Sequence, residues 1–384
     1  MIYLDHAATS FPKPMAVIEA QTLCMKKKCG NPGRGSHSLA LAAAQTVFEC
    51  REAAARFFGL NAPDRVIFTQ NTTASLNFAI KGLLKRGDHV LLSDMEHNAV
   101  FRPICKLARE GRITYSLFPT LVHKQDRTPK EICDAICARI RPNTKMLICA
   151  HASNICSSVL PLLEIGKLCA EKGILFITDA AQTAGKIPIN MKEMGIDALC
   201  VPGHKGLLGP QGVGLLLLRE GLVANTLMEG GSGVDSLAEA MPEEAPERYE
   251  VGTLPTPAIA GLCAGIQTVE RMGIEAISAH EREWSGYLQE RLLSLRGIEV
   301  YVPHHVGSVL LFNVRGVPSD RIGRLLNDRG ICVRTGYHCA ALGHKTLGTP
   351  AGGAIRVSVG PWNKIGDADA LIGVLSEIVR KGAQ

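Results

Sequence analysis

The sequence predicts an α/β protein with a large, mostly parallel sheet followed by a smaller α+β unit. Three observations carry that prediction. Between residues 66 and 218, short apolar runs alternate with stretches of helical length, the pattern of strands joined by crossover helices. Many of those runs are apolar throughout, as strands covered on both faces must be. After Pro257 the order changes to two long helical patterns and then three more strand-like runs.

Taken in order, Val66-Ile67-Phe68 opens the sheet. The polar turn Thr69–Thr73 follows, and a helix-period segment runs from Ala74 to Leu84. His89–Leu92 and Met146–Cys149 read as the next strands; a helix over Leu162–Lys172 leads into the strand Ile174–Ile177. Ala198–Val201 and Val213–Leu218 complete the sheet. Gly230–Tyr249, glycine-rich and then acidic with proline, reads as a surface loop. Helices are predicted over Ala258–Met272 and Glu275–Leu295, and strands over Ser308–Asn313, Ile331–Arg334 and Ala354–Val359. Ser319–Arg329 and Asp367–Arg380 carry the remaining helices.

Composition narrows the function classes. The 384 residues are 46% hydrophobic and 20% charged, which excludes a disordered tail, a coiled coil and a fibre. The net charge of +6 is spread along the chain, and Lys26-Lys27-Lys28 is the longest basic run noted, so no nucleic-acid partner is expected. No apolar run approaches a bilayer span and no signal peptide is read, so neither a membrane nor export is expected. The 13 cysteines are odd in number and no secretory signal precedes them. They point to reduced thiols and a cytoplasmic location. No Cys-x-x-Cys pair occurs, and no metal site is expected.

Ligands of such sheets sit beyond the carboxyl ends of the strands, so the polar clusters there are the candidates. Thr178-Asp179-Ala180-Ala181-Gln182 follows one strand and Pro202-Gly203-His204-Lys205-Gly206 another. Alone, Asp179 reads as a helix N-cap and Lys205 as a loop lysine. Together, a carboxylate for a pyridinium N–H and an amine for a Schiff base are what a pyridoxal phosphate site needs. Asn71-Thr72-Thr73 stands where a strand becomes a helix and offers a phosphate cradle, or a plain N-cap, or both. No P-loop or G-x-G-x-x-G occurs, which disfavours a nucleotide fold. His97 can stack on a ring and exchange protons, or be an ordinary loop histidine. Asn154 offers an amide in the corresponding place after the strand Met146–Cys149. In Arg334-Thr335-Gly336-Tyr337-His338-Cys339-Ala340, Arg334 and His338 are neighbours that can lower the Cys339 pKa. Cys339 is then a candidate nucleophile, against the alternative of an inert thiol. Arg356, inside an apolar strand, needs a partner or a carboxylate ligand.

The ordered set resembles the class V aminotransferase-like pyridoxal phosphate enzymes of fold type I, specifically cysteine desulfurases and selenocysteine lyases. It runs from Tyr3–Thr9 and Asn31–His37 through the His97, Asp179/Gln182 and Gly203–Lys205 segments to Tyr249–Thr253 and Cys339. The resemblance implies a large cofactor domain over residues 12–255. It implies a small domain over 256–384 together with 1–11. It implies that Lys205 carries pyridoxal 5′-phosphate and moves the Cα proton. Asp179 pairs with the ring nitrogen, Gln182 with the phenolic oxygen, His97 stacks, and Asn154 lies near the ring oxygen. Thr72, Thr73 and His204 hold the phosphate. Thr253 reaches the cofactor of the other subunit in a homodimer. Arg356, with Asn154, Arg334 and His37, serves the substrate. Cys339 accepts sulfur from L-cysteine and yields it to a protein or small-molecule acceptor.

The segment Arg334-x-Gly336-x-His338-Cys339-Ala340 resembles the group II (Suf-type) branch. Pro202 departs from that pattern where a serine hydroxyl often helps hold the phosphate, and Ala341–Lys345 departs from it too. Two other readings share the cofactor. One is a lyase acting on L-selenocysteine; the other is a class V transaminase or epimerase in which Cys339 is incidental.

Overall fold

The computed structural model describes residues 1–33, 35–122, 125–301 and 307–380. The chain opens with β1 (Ile2–Tyr3), α1 (Met15–Lys27), α2 (Ser38–Phe57), β2 (Val66–Thr69) and α3 (Thr72–Leu83). Next come β3 (His89–Ser93), α4 (Asn98–Arg109), β4 (Thr114–Phe118), the hairpin β5 (Leu121–Val122) and β6 (Gln125–Asp126), and α5 (Pro129–Cys137). Then follow β7 (Thr144–Ala150), α6 (Leu162–Lys172), β8 (Leu175–Asp179), β9 (Ala198–Pro202) and β10 (Gly214–Leu218). The last part holds α7 (Thr256–Met272), α8 (Ile274–Ser294), β11 (Ile298–Tyr301), β12 (Val309–Val314) and α9 (Ser319–Asn327). It closes with β13 (Ile331–Cys332), β14 (Arg334–Gly336), α10 (Ala341–Leu347), β15 (Ala354–Ser358) and α11 (Ile365–Arg380).

Among the described residues, seven strands form the large sheet in the order β2-β10-β9-β8-β7-β3-β4. β3, β4, β7, β8 and β9 run parallel, and β10 is antiparallel to both its neighbours. Side chains alternate between two cores, because successive strand residues point to opposite faces. Leu91, Leu147, Phe176, Leu199 and Leu215 enter one core. Val90, Ile148, Ile177, Cys200 and Leu216 enter the other. This is the physical reason the strands read as unbroken apolar runs. The helices take local signals. Thr128 and Glu131 form a reciprocal capping box at α5, and Gly173, at φ 64°, ends α6 in the left-handed region.

The second sheet has the order β11-β12-β15-β14 and packs with Trp284, Leu288, Phe312, Ile322 and Leu371. The N-terminus joins it: β1 pairs in parallel with β13, and Ser358 donates to the Leu4 carbonyl at 2.9 Å. Two expectations shift. The single strand over Ile331–Arg334 is two short ones, β13 against β1 and β14 against β15. A division between 255 and 256 places α7 in the small unit. Ile259, Leu262 and Ile266 of α7 instead pack into the large-sheet core, because its apolar face lies on α1 and α2. Among the described residues no helix is long and apolar enough to cross a membrane, and no group of side chains has the makeup of a metal site.

Candidate active site

The carboxyl ends of the parallel strands converge on one cavity. Ala150 ends β7, Asp179 ends β8 and Pro202 ends β9; the N-terminus of α3 and the residue before α4 complete the wall. Its lining brings together Thr72, Thr73, His97, Asn154, Asp179, Gln182, His204 and Lys205, residues up to 133 positions apart in sequence (205 − 72). Ala150, Ala152 and Ala181 stand between them and leave the space open.

Lys205 is fixed by the glycines beside it. A Cβ on Gly206 would lie 2.2 Å from the Ala184 carbonyl oxygen, so the loop packs against the next turn only with glycine there. Burial lowers the Lys205 amine to about 8, with Arg356 and Lys186 adding to the effect and Asp179 opposing it. Asp179 accepts a hydrogen bond from the Ala181 N–H at 2.9 Å, and burial pushes its carboxyl up. His97 caps α4, its Nδ1 accepting from the Ala99 N–H at 3.0 Å. Burial, then the charges of Lys205, Arg356 and Arg102, lower it to about 4. The ring is therefore neutral at physiological pH, and its proton sits on Nε2. Gln182 donates through Nε2 to the Ala7 carbonyl at 3.1 Å. His204 is tied through Nδ1 to Thr9 at 3.0 Å.

Thr72 decides what the cavity is shaped to hold. Its hydroxyl is buried and has no hydrogen-bond partner among the described residues. It sits on the first residue of α3, whose cap Asn71 accepts from the Ala74 N–H through its side chain at 3.0 Å and from the Ser75 N–H through its carbonyl at 3.2 Å. An orphaned hydroxyl beside unpaired helix N–H groups is a binding site for an anion.

Residues 2–371 match the family described as Aminotransferase class-V. The chain belongs to the class-V aminotransferase family. A relative named a probable cysteine desulfurase, from Methanothermobacter thermautotrophicus, is 32% identical over 99% of this chain and 95% of its own length. Another of that name, from Halalkalibacterium halodurans, is 32% identical over 97% and 91%. The apo structure of a cysteine desulfurase from Thermococcus onnurineus superposes with TM-score 0.89 at 30% identity, covering 99% of this chain and 95% of that one. The cysteine desulfurase CsdA of Escherichia coli, at 24% identity and TM-score 0.87, shares the fold over 99% and 94%.

Class-V aminotransferases use pyridoxal 5′-phosphate, and the residues present fit it. The orphaned Thr72 hydroxyl suits the phosphate. The buried Asp179 carboxylate forms no ion pair among the described residues and suits a ring N–H. The depressed Lys205 amine suits an aldehyde carbon.

The other predicted residues lie around this cavity or away from it. Arg356 is buried in β15, and its charge is partnered by Asp5 at 2.7 Å. Its Nη1 also donates to the Asn154 carbonyl at 3.1 Å, while its Nε stays buried without a partner. Arg334 binds the same Asp5 at 3.0 Å. Cys339 is exposed. The two neighbours expected to act on its thiol are engaged elsewhere: Arg334 with Asp5, and His338 with His344 at 3.1 Å. The Cys339 loop itself is tied to the cavity by Asn154 and to the start of α4 by Asn98. Asn98 N–H donates to the Cys339 carbonyl at 2.7 Å, and Asn154 Nδ2 to the His338 carbonyl at 2.8 Å. His37 and Thr253 line a different hollow, beside α2.

Four further residues at or beside the site were not singled out from the sequence. Glu96 is wholly buried next to His97, accepts from Ser93 Oγ and the Ala150 N–H, and is pushed up to about 8 by burial. Asp5 orders both arginines. Lys186 and Glu281 form a buried pair at 2.9 Å close behind Lys205. Glu96 stands beside a histidine already singled out, which is the one usable signal. Asp5 and Glu281 meet partners far along the chain.

Proposed function

We propose that this chain is a cysteine desulfurase that takes sulfur from free L-cysteine, releases L-alanine and leaves the sulfur as a persulfide on Cys339. The observation that carries the proposal is the hydrogen bond from Asn154, which lines the cavity together with Lys205, to the His338 carbonyl of the Cys339 loop.

Pyridoxal phosphate, when bound, supplies a carbonyl that condenses with amines and a ring that accepts the electron pair released at the substrate Cα. In this reading Lys205 would hold it covalently, and its amine would move the Cα proton of the substrate. Asp179 pairs with the ring N–H. Gln182 turns its second amide N–H to the phenolic oxygen, and Asn154 lies near it. Neutral His97 stacks on the ring and exchanges protons through Nε2. Thr72, Thr73 and His204 hold the phosphate, joined by Thr253 from a second copy of the chain. Pro202 lines the wall without a hydroxyl to offer.

Arg356 takes the substrate carboxylate, with Asn154 and Arg334 as further contacts; His37, which lies in the hollow beside α2, would join them only from a second copy of the chain. The free Nε of Arg356 and its tether to Asp5 support that role, since a guanidinium held on one edge is aimed on the other. The Cys339 thiolate attacks the substrate sulfur. A sulfur–sulfur bond forms, the Cβ–S bond breaks, and its electron pair stays on the carbon fragment that becomes alanine.

Mass spectrometry after adding L-cysteine without reductant tests this. One extra sulfur on the peptide containing Cys339, with alanine in the supernatant, is expected. Alanine and sulfide formed at an unchanged rate by Cys339→Ala would remove Cys339 from the mechanism. Activity of that variant on L-selenocysteine alone would move the reading to a lyase.

A further inference from the structure

Beside the Cys339 loop, and outside the cofactor cavity, lies a groove of about 660 Å3. Its floor is Phe101, Cys105 and Tyr115, where α4 crosses β4, and Ala341 stands at its end two residues after Cys339. Arg102 and Arg109 flank it, and no carboxylate lines it. Among the described residues Arg109 bonds only the Cys105 carbonyl of its own helix, at 3.4 Å. Arg102 has no ion pair among the described residues, although it is near enough to His97 to depress that ring. The groove and the nucleophile are coupled by structure: the first residue of α4, Asn98, both lines the groove and holds the Cys339 carbonyl at 2.7 Å.

We propose that this groove binds the sulfur acceptor, and that the acceptor is a small thiol carrying carboxylate groups. The inference rests on the desulfurase reading and deepens it. Two guanidiniums without acidic partners recognise carboxylates by charge-assisted hydrogen bonds. A concave, partly aromatic site of this volume suits a small molecule, whereas protein partners dock on broader surfaces. The acceptor thiolate attacks the outer sulfur of the Cys339 persulfide. The sulfur–sulfur bond to Cys339 breaks, Cys339 leaves as thiolate, and the acceptor departs as its own persulfide. One thiolate is consumed and one formed, so no external oxidant or reductant enters.

The test uses holoenzyme loaded with sulfur on Cys339, freed of excess cysteine, and mixed separately with mercaptosuccinate, mercaptoethanol and cysteamine. Transfer rates are compared per thiolate, since nucleophilicity follows ionisation. The expected order is mercaptosuccinate, then mercaptoethanol, then cysteamine, with about tenfold between the first two. The variant R102Q/R109Q should bring the three rates within about twofold of one another, and R102K/R109K should restore most of the spread. Equal rates in the parent protein, or a spread that survives R102Q/R109Q, overturns the proposal. Calorimetric titration of mercaptosuccinate into the resting holoenzyme and into R102Q/R109Q gives an independent readout. Heat lost in the variant supports the groove and equal heat overturns it. If no sulfur loads on Cys339, the desulfurase reading fails, while the calorimetry still decides whether the groove binds a carboxylated thiol.

Discussion

Thr72 is a small residue with a large consequence. Its hydroxyl is buried and unpartnered, which costs the empty chain free energy and favours whatever anion satisfies it. Thr72→Val keeps the shape and removes the oxygen. Cofactor affinity, read by absorbance titration, should fall about tenfold. The melting temperature of the cofactor-free protein should hold or rise, because an unsatisfied polar group has gone. Equal losses of both would mean that the hydroxyl serves the fold. Lys205 carries a pH signature. Its amine is lowered to about 8, so the reactive neutral form accumulates up to that pH and saturates above it. Cofactor uptake by the cofactor-free protein should rise about tenfold per pH unit below 8 and level off above it. A rise continuing to pH 10 would indicate an ordinary lysine. The same shift makes the cofactor-free fold gain stability as pH rises between about 8 and the ordinary lysine value, because there the unfolded chain holds more protons.

At the scale of elements, the chemistry sits where ordinary elements end. The loop after β14 places His338 and Cys339 at φ 53° and 55°, a left-handed pair that is strained for side chains and is held by Asn98 and Asn154. Behind Lys205, the pair Lys186–Glu281 joins the turn after β8 to α8 at 2.9 Å. Lys186→Met would leave a buried carboxylate alone and should destabilise the fold by about 3–5 kcal/mol in urea titrations, whereas Lys186→Met with Glu281→Leu should recover most of it. A double variant no more stable than the single would point to a packing role for Lys186. These elements were unequally legible in the sequence. Six of the seven strands of the large sheet read clearly, helped by the burial of both faces of β3, β7, β8 and β9; the edge strand β4 did not read, because Thr114 is exposed and Tyr115–Leu117 are only half-buried. Their ends located Asp179, His97 and Lys205. The helices α1, α2 and α4 did not read. On α1, Ile18, Leu23 and Met25 face solvent, as do Leu39, Leu41 and Phe48 on α2, so neither carries a clean apolar stripe. Asp5 was read only as part of a motif, because its partner Arg356 lies 351 residues away.

The whole molecule has one feature that a single chain does not explain. A hollow of about 1010 Å3 beside α2 is lined by Leu41, Phe48, His37 and Thr253, and Leu41 and Phe48 are 60% and 48% exposed. The buried pair Arg51–Glu250, with the Phe68 N–H, joins α2 and β2 to the segment carrying Thr253. Exposed apolar side chains next to residues absent from the chain's own cavity suit a second copy. In a two-fold pair, the Thr253 of each chain would complete the phosphate site of the other. Phe48→Glu places a charge on that face without touching Lys205's cavity. Light scattering behind size-exclusion chromatography should show a twofold complex for the parent protein and half that mass for the variant. Cofactor affinity should fall with the mass, because each site loses a donor. A monomeric variant that binds cofactor as tightly as the parent would separate assembly from the site, and Thr253 would then have no part in holding the phosphate.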